Sequence, residues 1–212
     1  MVSESQNCRK TPALPFAVGK MAMLIGVLAL QGDFYEHCLV LRRLGVEPRE
    51  VRLPEHLQGL SGLIIPGGES TTLGKLSNTY RLTKPLREIA GSIPVWGTCA
   101  GLVFMAKDVG ADQPILGILD MVVQRNAFGR QVDSFEEDID IKGLEGGPFH
   151  GVFIRAPVIT EIGPRIEVLC RLKDGRVVAV RQGRLIATSF HPELTNDPRF
   201  HKYFLSLVDS PS

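Results

Sequence analysis

The sequence predicts an α/β domain of three layers, in which helices cover a mostly parallel central sheet and further strands are added late in the chain. Three observations carry this. Short, continuous apolar runs recur at 23–30, 62–68 and 93–97, as strands buried on both faces require. Segments of helical periodicity alternate with them. After residue 115 the pattern changes to short strand-like segments separated by Gly, Pro or Asp-Gly.

Taken in order, "MLIGVLAL" (23–30) reads as a central strand. Asp33 then stands where it caps a helix, with Glu36 completing a capping box and Gly45 closing the helix. "PREVRL" (48–53) is a more polar strand, hence nearer an edge, and "GLIIPGG" (62–68) is again buried. Ser70 and Thr71 are candidate caps for the next helix. "RLTKPLREIAG" (81–91) is helical with Pro85 in its first turn, and "IPVWG" (93–97) runs straight into Cys99. "AGLVFMAKDVG" (100–110) reads as one helix closed by Gly110. The strand-like segments that follow are "LGILDMVVQRN", "DIDIKGL", "GVFIRAP", "IEVLCRL", "RVVAVRQ" and "RLIATSF", with a hairpin turn at "KDGR" (173–176). A final helix over about 196–208 has Asn196 or Asp197 as its cap.

The bulk numbers exclude several function classes. The 212 residues carry 24 Lys and Arg against 23 Asp and Glu, a net charge of +1 with no basic stripe, so a nucleic-acid face is not expected. The longest apolar stretch, 21–30, is about half a membrane span. Four well-separated cysteines show no CxxC pair, which argues against zinc or a disulfide framework and for reduced thiols in a cytoplasmic protein. Residues 1–20 have no cleavage-site pattern of a signal peptide and are expected to be a disordered leader, with 21–212 forming the domain and Met21 or Met23 as candidate starts.

Three strand ends carry unusual chemistry. In "WGTCAG" (96–101), small residues on both sides let the chain turn sharply and expose Cys99 at the start of a helix. The positive end of a helix favours the thiolate, the form that attacks carbonyls. A buried structural thiol is the plainer alternative, but it needs no glycine frame. In "TSFHPEL" (188–194), Pro192 biases His191 to an extended backbone, which puts His191 and Glu193 on one side. A carboxylate there orients an imidazole, although His-Pro-Glu alone is also ordinary turn chemistry. The other histidines fit a base less well: His37 within a helix, His56 in a polar loop, His150 after "GGPF", and His201 facing out from the last helix. In "IIPGGES" (64–70), two glycines after a buried strand free backbone N–H groups for an oxyanion, or simply make a tight turn, with Glu69 placed to meet an ammonium.

In this order, "PGGES", "WGTCAG" and "SFHPE" resemble class I glutamine amidotransferases. "GVLALQGDFYEH", "IIPGGESTT", "VWGTCAGL", "VQRNAFGRQVDSFE", "VFIRAP" and "ATSFHPELT" resemble the glutaminase subunits of pyridoxal 5′-phosphate synthases, over residues 23–195. The resemblance implies a flavodoxin-like fold and hydrolysis of L-glutamine to glutamate and ammonia, with no cofactor and no metal. It implies Cys99 as the nucleophile of a γ-glutamyl thioester, His191 as the proton relay and Glu193 as its orienting group. Gly67 and Gly68 would stabilise the oxyanion, while Glu69, Arg125, Ile154 and Arg155 would line the glutamine pocket. An arginine grips a carboxylate bidentately, although Arg125 and Arg155 alone read as solvated surface residues. Gln31 falls at the same rim as a partner-coupled residue. The implied partner is the ring-building synthase subunit, in a hetero-oligomeric complex that receives the ammonia. Other readings are a glutaminase subunit serving another ammonia-using synthase, a cysteine peptidase of similar fold, and a non-catalytic binding subunit.

Overall fold

A computed structural model describes residues 23–124 and 134–210. The expected leader, residues 1–20, lies outside these. The described chain opens with strand β1 (Ile25–Leu28), helix α1 (Phe34–Arg43), strand β2 (Pro48–Val51), a 3₁₀ turn at Pro54–Leu57 and strand β3 (Gly62–Ile65). Helices α2 (Ser70–Thr79) and α3 (Thr83–Ala90) lead to strand β4 (Val95–Thr98), helix α4 (Ala100–Met105) and strand β5 (Ala106–Asp108). Strands β6 (Leu119–Gln124), β7 (Ser134–Ile139), β8 (Phe149–Ile154), β9 (Val158–Ile162), β10 (Glu167–Arg171), β11 (Val177–Gln182) and β12 (Leu185–Thr188) follow. A 3₁₀ turn at Pro192–Leu194 and helix α5 (Arg199–Asp209) end the described chain.

The main sheet runs β2-β1-β3-β4-β12-β11-β9-β6-β5, with β10 paired to β11. Its first five strands are parallel, in the order of a flavodoxin-like domain, and β2 is the edge strand as its polarity predicts. The remainder of the path is mostly antiparallel, so the late strands extend the sheet. Strands β7 and β8 form a separate two-stranded sheet.

Alternation within the parallel strands divides the core. Leu28, Leu63, Ile65 and Val95 pack with Leu73, Leu86 and Leu102 from α2, α3 and α4. Ile25, Val27, Ile64 and Trp96 pack on the other face with Cys38 and Leu41 of α1 and Phe200 and Phe204 of α5. Apolar surface is thus needed on both faces, which is why these strands read as unbroken hydrophobic runs.

Several local expectations are corrected. Asp33 occupies the N-cap position of α1 but makes no side-chain cap, because its carboxylate is turned toward His191. Helix α2 is capped by Glu69, which accepts from the N–H groups of Thr71 (2.9 Å) and Thr72 (2.6 Å); Ser70 and Thr71 already lie inside the helix. Burial opposes ionisation of Glu69, yet hydrogen bonds from the Thr72 and Thr71 side chains and N–H groups hold its carboxyl down at about 2. Helix α4 stops at Met105, since the next residues pair with β6, and Gly110 turns a loop. Strand β9 was not anticipated; its outer half is exposed, leaving little apolar signal. The last helix begins at Arg199, where Asp197 accepts the Arg199 N–H at 2.9 Å from just outside the helix. No described helix is long and apolar enough to cross a membrane.

One glycine fixes how closely α4 approaches the sheet. A Cβ at Gly101 would overlap the carbonyl oxygen of Ile65 on β3. Alanine is the better helix former by about 1 kcal/mol, but here overpacking dominates. Gly101→Ala is expected to cost about 1–3 kcal/mol, read as a lower urea midpoint with an unchanged m-value.

Candidate active site

The carboxyl ends of β1, β3, β4 and β12 meet at one cleft of about 320 Å³, where open α/β sheets place their ligands. Its lining includes Asp33, Gly68, Glu69, Cys99, Arg155 and His191. Cys99 sits between β4 and α4 with φ 46° and ψ −102°, a conformation non-glycine residues rarely adopt. Its N–H donates to the Thr188 carbonyl at 2.8 Å, so the thiol is fixed to the strand that leads to His191. The side chain is largely buried, with Sγ 3.9 Å from the Ile154 carbonyl.

His191 is held from three sides. Its N–H donates to the Val152 carbonyl at 2.9 Å, and its Nδ1 lies 2.8 Å from Glu193 Oε1 and 3.5 Å from Asp33 Oδ2. The Glu193 contact requires the proton on Nδ1, which leaves Nε2 of the neutral ring as a base. No nitrogen or oxygen partners the buried Nε2. Burial opposes a charged imidazole here, but hydrogen bonding and charge from Cys99 and Glu193 outweigh it and raise His191 to about 10. Burial raises Glu193 as well, although His191 opposes this. The pair does not arise from strand alternation: Glu193 lies in the Pro192–Leu194 3₁₀ turn, which folds its carboxylate back under the ring.

The glycine loop is less committed. The Gly67 carbonyl accepts from the Asp33 N–H at 3.3 Å, and Gly68 has φ 137°. Gln31 Oε1 accepts the Glu69 N–H at 2.9 Å, and a Cβ on Gly68 would run into the Gln31 amide. Gln31 Nε2 is buried without a partner.

The structure therefore brings Cys99, His191, Glu193, Gly68, Glu69, Ile154 and Arg155 to one place, with Gln31 behind the glycine loop. Arg155 also adopts positive φ, 43°. The Glu69 carboxylate is engaged as a helix cap. Arg125, and most of the "RNAFGRQ" stretch, lie outside the described residues.

Two further residues reach the site without having been expected there. Asp33 contacts the His191 ring, and His37, one turn later on α1, lies 3.5 Å from Glu193. Their spacing of four on a helix that starts beside the strand end is the signal that places both on one face. His201 was expected to face outward, but it is fully buried, because α5 packs its Phe200, His201 and Phe204 side against Trp96. His150 lies on the exposed side of the β7–β8 hairpin, 3.0 Å from both Glu136 and Asp138, and does not line the cleft. Asp33, His191 and Glu193 are also the group, among the described residues, whose ligand atoms have metal-like spacing. The His191–Glu193 hydrogen bond and the 3.5 Å charge contact of Asp33 with His191 already account for that closeness.

A thiol on a strand-to-helix elbow, facing a histidine–carboxylate pair across a parallel sheet, belongs to α/β enzymes of thiol-dependent acyl transfer. Residues 27–210 match the SNO glutamine amidotransferase family, and the chain belongs to that family. It is 56% identical over 192 residues to the pyridoxal 5′-phosphate synthase subunit PdxT of Thermus thermophilus, covering 89% of this chain and 99% of that one. The PdxT of Moorella thermoacetica is 57% identical over 188 residues, covering 88% and 100%. A crystal structure described as glutamine amidotransferase superposes with a TM-score of 0.83 at 56% identity, covering 88% and 99%. PurLQS from Thermotoga maritima shares the fold alone, with a TM-score of 0.67 at 16% identity over 88% of this chain and 99% of that one.

Proposed function

We propose that this chain is the glutaminase subunit of a pyridoxal 5′-phosphate synthase, releasing ammonia from L-glutamine for a separate ring-building subunit. Cys99 attacks the side-chain amide carbon, His191 Nε2 takes the thiol proton and passes it to the departing ammonia, and Glu193 holds the ring in that tautomer. Water then hydrolyses the thioester to glutamate. Gly67 and Gly68 supply the oxyanion site, while Glu69, Arg125, Ile154 and Arg155 hold the amino-acid end of glutamine; the presence of Gly68, Glu69, Ile154 and Arg155 in the cleft lining supports this. The observation that carries this reading is the convergence of Cys99 with the His191–Glu193 pair in one cleft, in a chain whose relatives are PdxT subunits. Free thiols at Cys38, Cys99 and Cys170 accord with a cytoplasmic setting. The test measures ammonia release from glutamine, with and without the synthase subunit, against cleavage of a peptide substrate. Peptide cleavage without ammonia release would overturn the proposal.

Activity should depend on the partner. Ammonia escaping into neutral water becomes unreactive ammonium, so docking should precede or accompany hydrolysis. The reading is supported by the glycine loop, where Asp33 engages the Gly67 carbonyl and Gln31 engages the Glu69 N–H. A change in this ladder re-aims an N–H at the oxyanion, and one such donor is worth about 10²–10³-fold. Adding the synthase subunit is therefore expected to raise turnover about 10²-fold, and Gln31→Ala to blunt the rise with little change in thermal midpoint. Equal turnover with and without the synthase subunit at saturating glutamine would refute the coupling and leave the triad standing.

A further inference from the structure

Behind the triad lies a second, wholly buried set of polar groups that the proposed chemistry does not use. Glu193 Oε1 is bound to His191, but Oε2 is buried and has no hydrogen-bond partner. His37 Nε2 stands 3.5 Å from that oxygen and 3.4 Å from the hydroxyl of Thr98, the residue preceding Cys99. The other nitrogen of His37, Nδ1, lies 3.0 Å from His201 Nε2. The Trp96 ring packs edge-on against both imidazoles, at 5.3 and 5.0 Å between centroids.

The tautomers follow from the partners. A hydrogen bond between two neutral imidazoles needs one donor and one acceptor. If His37 Nδ1 donated, the bare lone pair of its Nε2 would face the Glu193 carboxylate. With the donor on His201 Nε2, His37 carries its proton on Nε2 and gives it to the Glu193 and Thr98 side. That leaves His201 Nδ1 as an acceptor, and it is the atom found without a partner. The chain of donors then runs His201, His37, Glu193 Oε2, with His191 donating to Oε1 from the other side.

We infer that His37 is a positioning residue of the proposed triad: it holds the outer oxygen of Glu193, and His201 sets its tautomer. This rests on the assignment of Cys99, His191 and Glu193 given above. The surroundings suit the role. Burial, then the proximity of His201 and His191, keeps His37 well below the ordinary histidine range, so it remains a neutral donor. His201, lowered to about 3 by burial with Arg43 adding to it, is neutral too. Burial, with Asp33 beside it pushing the same way, favours protonation of the Glu193 carboxyl, so a donor on the side of Oε2 favours the charged form that orients His191.

The experiment compares His37→Phe, His37→Gln and His37→Asn in the full chain with its synthase subunit, reading kcat, KM and the acid limb of the pH–kcat profile. Phenylalanine removes the donor, and kcat should fall about tenfold or more, with KM nearly unchanged. The acid limb should move up by about one pH unit, because a carboxylate that loses a donor protonates more readily. Glutamine carries an N–H to the position of Nε2 and should restore most of kcat, whereas asparagine reaches only the His201 side and should not. In a Glu193→Gln background, His37→Phe should cause little further loss. If His37→Phe does not fold, the glutamine–asparagine contrast decides. An unshifted acid limb in the folded variants, equal activity of the glutamine and asparagine variants, or an undiminished loss in the Glu193→Gln background would each overturn the inference. Full activity of Glu193→Gln itself would instead remove the triad assignment on which it rests.

Discussion

Cys99→Ala is expected to reduce ammonia release from glutamine by about 10⁴-fold or more, measured with the synthase subunit present. No other described thiol is placed to substitute. Burial raises Cys38 to about 11 and Cys170 to about 12, and both are packed among the apolar side chains on the α1–α5 face of the sheet. Their alanine variants should keep most of the activity. Cys99→Ser keeps the size and the elbow but offers a hydroxyl that ionises far less readily than a thiol, and it should be nearly as inactive. A glutamine-like alkylating agent should attach to Cys99 alone, identified by peptide mapping. Retained turnover in Cys99→Ala would remove the thioester mechanism altogether.

His191→Asn is expected to cost about 10³-fold or more in kcat, since thiol deprotonation and ammonia departure both lose their proton carrier. Glu193→Gln should cost less, because the imidazole remains and Asp33 still lies 3.5 Å from Nδ1. The same residue has a signature in stability. A group raised from 6.5 to about 10 by folding contributes stability that is fully present below pH 6.5 and is lost as pH rises through about 10. The parent protein should therefore lose thermal midpoint across that window more steeply than His191→Asn. Equal slopes, or an active His191→Asn, would count against the assignment.

The parallel half of the fold was legible because burial on both faces writes itself into composition: β1, β3 and β4 are apolar at nearly every position. Cys99 was legible because its backbone conformation demands small neighbours, and those neighbours are visible in the chain. What escaped reading was non-local. "AGLVFMAKDVG" carries one continuous helical preference, but Ala106 pairs with Leu119 and draws the segment after Met105 into the sheet. Asp33 has the local look of a cap, and only a histidine 158 residues away gives its carboxylate another use. His37 and His201 show the same limit. Each sits among helical apolar positions, where nothing in the local sequence states whether an imidazole meets water or a partner 164 residues distant.

The walls of the cleft have two origins. Cys99 and His191 hang from adjacent strands of the main sheet, locked together by the Thr98–Thr188 register of β4 and β12. Ile154 and Arg155 end the β7–β8 hairpin, whose ladder is its own. The two walls therefore stand on separate ladders, joined at points such as the His191 N–H to the Val152 carbonyl. Such a division gives natural variation room to work: the hairpin can drift in sequence and reshape one wall of the cleft, while the sheet that carries Cys99 and His191 stays fixed.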